Sequence, residues 1–84
     1  MTFFVNWKQI ACDRVAEIWL AAPDRARVTA SVNEIDSLLR RSPQTAGEQR
    51  DGAIRLVVVD PLAVVFEVNP DDLRVDVLEV RRVN

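Results

Sequence analysis

The chain has 84 residues, 49% hydrophobic and 29% charged, with 11 basic against 13 acidic side chains and a net charge of −2. That supports one domain over residues 1–84 with a thin core, is too apolar for a disordered chain, and argues against direct sequence-specific nucleic-acid binding through a basic excess. The single cysteine, Cys12, excludes an internal disulfide and is expected to be a semi-buried residue of the first helix.

The N-terminal stretch "TFFVNW" is β-prone and aromatic and predicts a first strand over residues 2–7. Its apolar run is too short for a signal peptide core or a membrane span, so a cytoplasmic location and no membrane partner are expected. From Gln9 the period changes. Ala11, Val15, Ile18, Trp19 and Ala22 form one stripe of a helix that Pro23 ends. Trp19 is expected in the core on this pattern, and Trp7 at the end of the first strand.

Asp24 stands where a helix N-cap belongs, its carboxylate placed to accept from a free backbone N–H. A second helix follows with Val28, Val32, Ile35 and Leu38/Leu39 on its apolar side, closed by Ser42-Pro43. The short connection predicts an antiparallel helical hairpin. "SPQTAGEQRDG", residues 42–52, holds both glycines and predicts a long loop.

"AIRLVVV" and "LAVVFEV" then predict two strands around a turn at Asp60-Pro61, and valine at successive positions predicts at least partial cover on both faces. "NPDD", residues 69–72, predicts a second turn. In the last strand, "RVDVLEVRRV", the alternation passes from Val75 and Val77 to Leu78 and Val80, a phase slip that suggests a β-bulge. The expected fold is α+β, in the order β-α-α-β-β-β, with a two-helix hairpin packed on one face of a small antiparallel sheet.

The chain has no histidine and no tyrosine. Ser-His-Asp and Cys-His catalysis are therefore excluded, as is a histidine-containing metal site. Gly47 and Gly52 match no phosphate-binding spacing, and pairs such as Asp71/Asp72 read as solvated turn residues. No cofactor, metal or catalytic residue is assigned. Every basic residue except Lys8 is arginine, the side chain suited to bidentate anion recognition and interface pairing. Arg40, Arg41, Arg50 and Arg55 lie between the second helix and the following strand, and Arg81 and Arg82 end the last one. Residues 50–55 beside the last strand would make a local basic surface. The competing reading is a set of solvated charges balanced by Glu48, Asp51 and Glu79.

The segments "VNW", "DRVAEIWLAAPD", "VTASVNEIDSLLRRSPQTAGEQR" and "IRLVVVDPLAVVFEVNPDDLRVDVLEVRR" span nearly the whole chain. In this order they resemble the RelE/ParE superfamily of bacterial toxins from toxin–antitoxin pairs, which includes plasmid stabilisation proteins. The resemblance implies a toxin neutralised by a cognate antitoxin protein, which often docks a helix and adds a strand to the sheet edge. It also implies a target, DNA gyrase in one branch and the mRNA-engaged ribosome in the other. Leu62, Ala63 and Val64 stand where RNA-cleaving relatives often carry an aromatic-Arg-Val triplet, and no tyrosine lies near the C-terminus. Arg81 and Arg82 stand near the usual His-Arg.

These departures favour a toxin that binds its target, gyrase-type inhibition over catalysis, with Arg50, Arg55, Arg81 and Arg82 as target-binding residues. The alternatives are a ribosome-dependent mRNA interferase, an endoribonuclease working through arginines, and an inactive interaction module of the same fold. A thin core with an apolar sheet edge also suggests a homodimer.

Overall fold

The computed structural model describes residues 2–84. In chain order the elements are β1 (Phe4–Trp7), α1 (Gln9–Ala21), α2 (Arg25–Arg41), β2 (Glu48–Asp51), β3 (Ile54–Val59), β4 (Leu62–Asn69), a 3-10 turn (Pro70–Asp72) and β5 (Arg74–Arg82). The five strands form one sheet in the order β1-β5-β4-β3-β2. The expected β-α-α-β-β-β order holds, with one strand added and the first strand shortened to Phe4–Trp7.

The added strand lies within the expected 42–52 loop. Residues 48–51 pair antiparallel with β3, Glu48 opposite Leu56 and Gln49 opposite Arg55. All four residues of β2 are exposed, so no hydrophobic alternation announces it. Backbone pairing to β3 holds it instead. The sheet is also mixed rather than wholly antiparallel. β1 runs parallel to β5, Phe4 opposite Arg74 and Trp7 opposite Val77. The two helices carry the chain from β1 to β2 at the opposite edge, and three antiparallel reversals then bring β5 back beside β1.

β3 and β4 pair in unbroken antiparallel register from Ile54/Glu67 to Val59/Leu62, joined at Asp60-Pro61, whose peptide is cis. Between β4 and β5 the register shifts: Val65 faces Glu79 while Phe66 faces Val77. Leu78 is thus the extra residue of the expected bulge. The shift returns Val80 and Arg82 to the helix side, which accounts for the phase slip in the sequence.

Val57, Leu62, Val64, Phe66, Val75, Val77 and Val80 on the strands meet Ala11, Ile18, Val28, Ile35 and Leu39 on the helices in one core. Phe66 is fully buried at its centre, and truncating such a residue to alanine costs about 3–5 kcal/mol. The buried Ser31 donates from Oγ to the Val59 carbonyl at 2.6 Å, joining α2 to β3.

Two residues of α1 depart from expectation. Its buried positions are Ala11 and Ile18, with Val15 and Ala22 half-covered. Trp19 lies about 100° round the helix from Ile18 and is 38% exposed. Its ring lies under the Arg25 guanidinium, 4.5 Å from the centroid, and its Nε1 donates to Thr29 Oγ1. Cys12, one step from Ala11, is exposed rather than semi-buried.

Asp24 occupies the N-cap position of α2, but its side chain makes no hydrogen bond to the helix backbone. Two cations hold it instead, Arg82 at 2.9 Å and Arg27 at 3.3 Å.

Candidate functional site

The helices cover one face of the sheet. On the central hairpin, the side chains opposite that cover are Leu56 and Val58 of β3 and Ala63 and Val65 of β4, by alternation with the buried Val57, Val64 and Phe66. Val58 is 56% exposed, while Leu56 and Val65 are half-buried and Ala63 is buried, so the second side of the valine run is covered in part, as expected. The helices fill one side, and no element of the described chain lies over the other.

This open face holds a groove of about 360 Å³, floored by Leu56, Val58, Ala63, Val65 and Val83. Its rim carries Arg50, Glu79 and Arg81. Each arginine is matched by a neighbouring carboxylate, Arg50 by Glu48 at 2.9 Å and Arg81 by Glu79 at 3.1 Å. All four of these side chains are more than half exposed. Their mutual attraction is consequently weak and leaves the guanidiniums available to an incoming group.

The four expected target-binding residues separate into two sets. Arg50 and Arg81 flank the same groove. Arg55 stands opposite Phe66 and therefore on the helix side, where it donates from Nε to the Ala46 carbonyl at 2.9 Å and from Nη2 to the Gly47 carbonyl at 3.3 Å. Arg82 stands opposite Leu62, also on the helix side but at the far end of that hairpin, paired with Asp24. The expected juxtaposition of residues 50–55 with the last strand does not form, because β4 lies between β3 and β5.

The hydrogen bond from Arg82 is the first cause holding the Asp24 carboxyl below its ordinary value of 3.8, against partial burial, with the Arg27 contact acting the same way. A second carboxylate, Asp76, escapes sequence reasoning altogether. It lies on the open side of the sheet, 3% exposed, and accepts from Asn6 Nδ2 at 3.0 Å, Asn69 Nδ2 at 3.2 Å and Arg74 Nε at 3.3 Å. The Asn6 bond chiefly lowers its pKa; burial opposes, and the charges of Arg74 and Lys8 assist. An acid so well supplied with donors stays ionised and is a poor proton acceptor near neutrality. Its partners on β1, on β4 and on β5 itself make it a tie across the sheet.

No family model matches the chain, and no curated protein matches it in sequence. Solved structures do. A chain of the RelBE2 toxin–antitoxin complex from Mycobacterium tuberculosis superposes with a TM-score of 0.75 at 15% identity, over 98% of this chain and 92% of that one. A chain of the chromosomal ParDE system from P. aeruginosa gives 0.74 at 16% identity, over 99% and 98%.

The chain has the RelE/ParE fold. The archaeal RelE–RelB complex from Pyrococcus horikoshii OT3 agrees, with a TM-score of 0.72 at 16% identity over 100% of this chain and 98% of that one. Within this RelE/ParE fold, the region beside the bulge has a second opening. β1 pairs with β5 only as far as Val77, so among the described residues the outer edge of β5 from Leu78 onward carries no strand. A groove lined by Ile10, Arg14 and Glu17 of α1 runs along that edge. No helix of the described residues is long and apolar enough to cross a membrane.

Proposed function

We propose that this chain is the toxin component of a toxin–antitoxin pair, acting by binding a cellular target rather than by catalysis, with gyrase-type inhibition favoured. The observation that carries the binding reading is the open sheet face. Its centre is Leu56, Val58, Ala63 and Val65, and its charged groups, Arg50 and Arg81, lie at the margins. An apolar centre with a charged rim is the anatomy of a protein-binding surface. A phosphodiester-cleaving site needs a proton acceptor at its centre, and a chain without histidine has no side chain that titrates ordinarily near neutrality.

The toxin reading draws on the fold shared with chains of RelBE and ParDE structures. A cognate antitoxin would use the unpaired β5 edge beyond Val77, where an extended segment can complete the backbone hydrogen bonds beside α1.

Tightly controlled induction of the chain in a bacterial host tests the proposal. Growth arrest that the Arg50→Ala/Arg81→Ala variant loses while remaining folded is the expected result. Supercoiling assays should then show gyrase inhibition, and transcript ends should be unchanged. New transcript ends clustered within codons would replace this reading with the mRNA interferase. Normal growth of a host that accumulates folded chain would replace it with an inactive interaction module.

A further inference from the structure

The uncovered face of an antiparallel sheet ordinarily turns polar residues to water. Here two adjacent rows run across the open face, Glu79–Val65–Leu56 and Arg81–Ala63–Val58. The rows differ in a systematic way. Glutamate in one matches arginine in the other, valine matches alanine, and leucine matches valine.

We propose that this face is the contact between two copies of the chain. A two-fold axis lying across the strands, midway between the rows, lays each row of one copy on the other row of its mate. Glu79 of one copy then meets Arg81 of the other, Val65 packs over Ala63, and Leu56 packs over Val58. Each contact recurs in reverse by symmetry. The rows are about 7 Å apart along the strands, and packed sheets are separated by about 10 Å, a gap that facing glutamate and arginine side chains span.

The existing Arg81–Glu79 bond within one chain joins two exposed groups, so exchanging it for the equivalent bond between chains loses little. On the other flank Glu48 closes the first row, but Arg50 already neutralises it at 2.9 Å. Within the two rows, each charge has an opposite partner at hand. The dimer rests on this row pattern alone. Its consequence, that self-association masks the surface a target would use, rests on the function proposed above.

The test is sedimentation of the intact chain at low salt from roughly 10 to 500 µM, the range suited to an interface smaller than a standard one. The wild-type chain should pass from its 9.5 kDa monomer to twice that mass. Arg81→Glu and Glu79→Arg should each stay monomeric alone, because each places like charges in apposition, and should form a heterodimer when mixed in equal amounts. Val58→Lys, at an exposed position, should stay monomeric under every condition. Circular dichroism melting confirms that each variant is folded.

A wild-type chain that stays monomeric overturns the proposal. So does a dimer that persists in all three variants, as one joined through a sheet edge would. Growth arrest by a strictly monomeric chain discards the dimer and leaves the toxin reading intact. A charge-dependent dimer that arrests no growth does the opposite.

Discussion

Arg82, near the end of β5, donates from Nη2 to the Asp24 carboxylate at 2.9 Å, across 58 positions of sequence. The pair fastens the last strand to the connection between the two helices. Arg27 also reaches Asp24, and it bonds Asp60 in the β3–β4 turn, which in turn accepts from Asn84 Nδ2 at 2.7 Å. Two connections and the end of the last strand, all remote in sequence, thus meet at one charged cluster.

This cluster has a pH signature. Asp24 has its folded pKa depressed, first by the Arg82 hydrogen bond, so its contribution is fully present above the ordinary 3.8 and is lost as pH falls through the lower folded value. Arg82→Ala should remove part of that dependence. Thermal melts at steps from neutral pH into the acid range should show a shallower fall in midpoint below 3.8 for the variant than for the wild type. Parallel curves would show that the pair contributes no linked stability.

Asp76 should behave as a structural carboxylate. Asp76→Asn retains the shape but sets amide donors against Asn6, Asn69 and Arg74, which in the wild type donate to a charged carboxylate. A loss of about 1–3 kcal/mol is expected, the range for a disrupted buried hydrogen bond to a charged group. Urea unfolding at pH 7 measures it. Since the Asn6 bond fastens β1 to β5, amide exchange in β1 should accelerate more than in β3.

The two glycines should differ in sensitivity. Both have positive φ, 61° at Gly47 and 56° at Gly52. A Cβ at Gly47 would collide with the Leu56 carbonyl and approach Val57 Cα to 2.8 Å, whereas at Gly52 nothing lies within 4 Å. Gly52→Ala should therefore cost only the left-handed strain, about 1–2 kcal/mol. Gly47→Ala should cost more, because backbone of β3 must move away. Equal unfolding midpoints for the two variants would contradict this.

Among the arginines, location predicts consequence. Arg55→Ala removes the donors that hold the Ala46 and Gly47 carbonyls and should destabilise by about 1 kcal/mol. Arg50→Ala and Arg81→Ala, whose side chains are exposed, should stay within about 0.5 kcal/mol of wild type. Denaturant midpoints separate the two classes, and growth assays of the same variants should show the reverse ranking.

Much of this fold is present in local patterning. Proline at 23 stops α1, the apolar residues of α2 recur at helical spacing, and the slip between Val77 and Leu78 marks a bulge that the register confirms. These features depend on neighbours within a few positions, so one sequence carries them. The alternation and run lengths in residues 54–82 likewise determine three of the five strands.

Only the tertiary structure decided the rest. β2 exists because backbone groups of 48–51 find partners on β3, and no side-chain pattern is needed for that. Trp19 and Cys12 are exposed for a related reason: a helical stripe gives a direction to within about a third of a turn, and packing determines where cover ends. Asp24 takes the N-cap position its sequence context indicates, but Arg82 and Arg27, remote or on the next turn, claim its carboxylate instead of the helix backbone. The separation of Arg50 and Arg81 from Arg55 and Arg82 depends on strand order, one intervening strand and a single bulged residue. Face assignment alternates with every residue, so a one-position shift in register exchanges an open-face guanidinium for one on the helix side. That register is set by contacts across the whole sheet, and local sequence does not contain it.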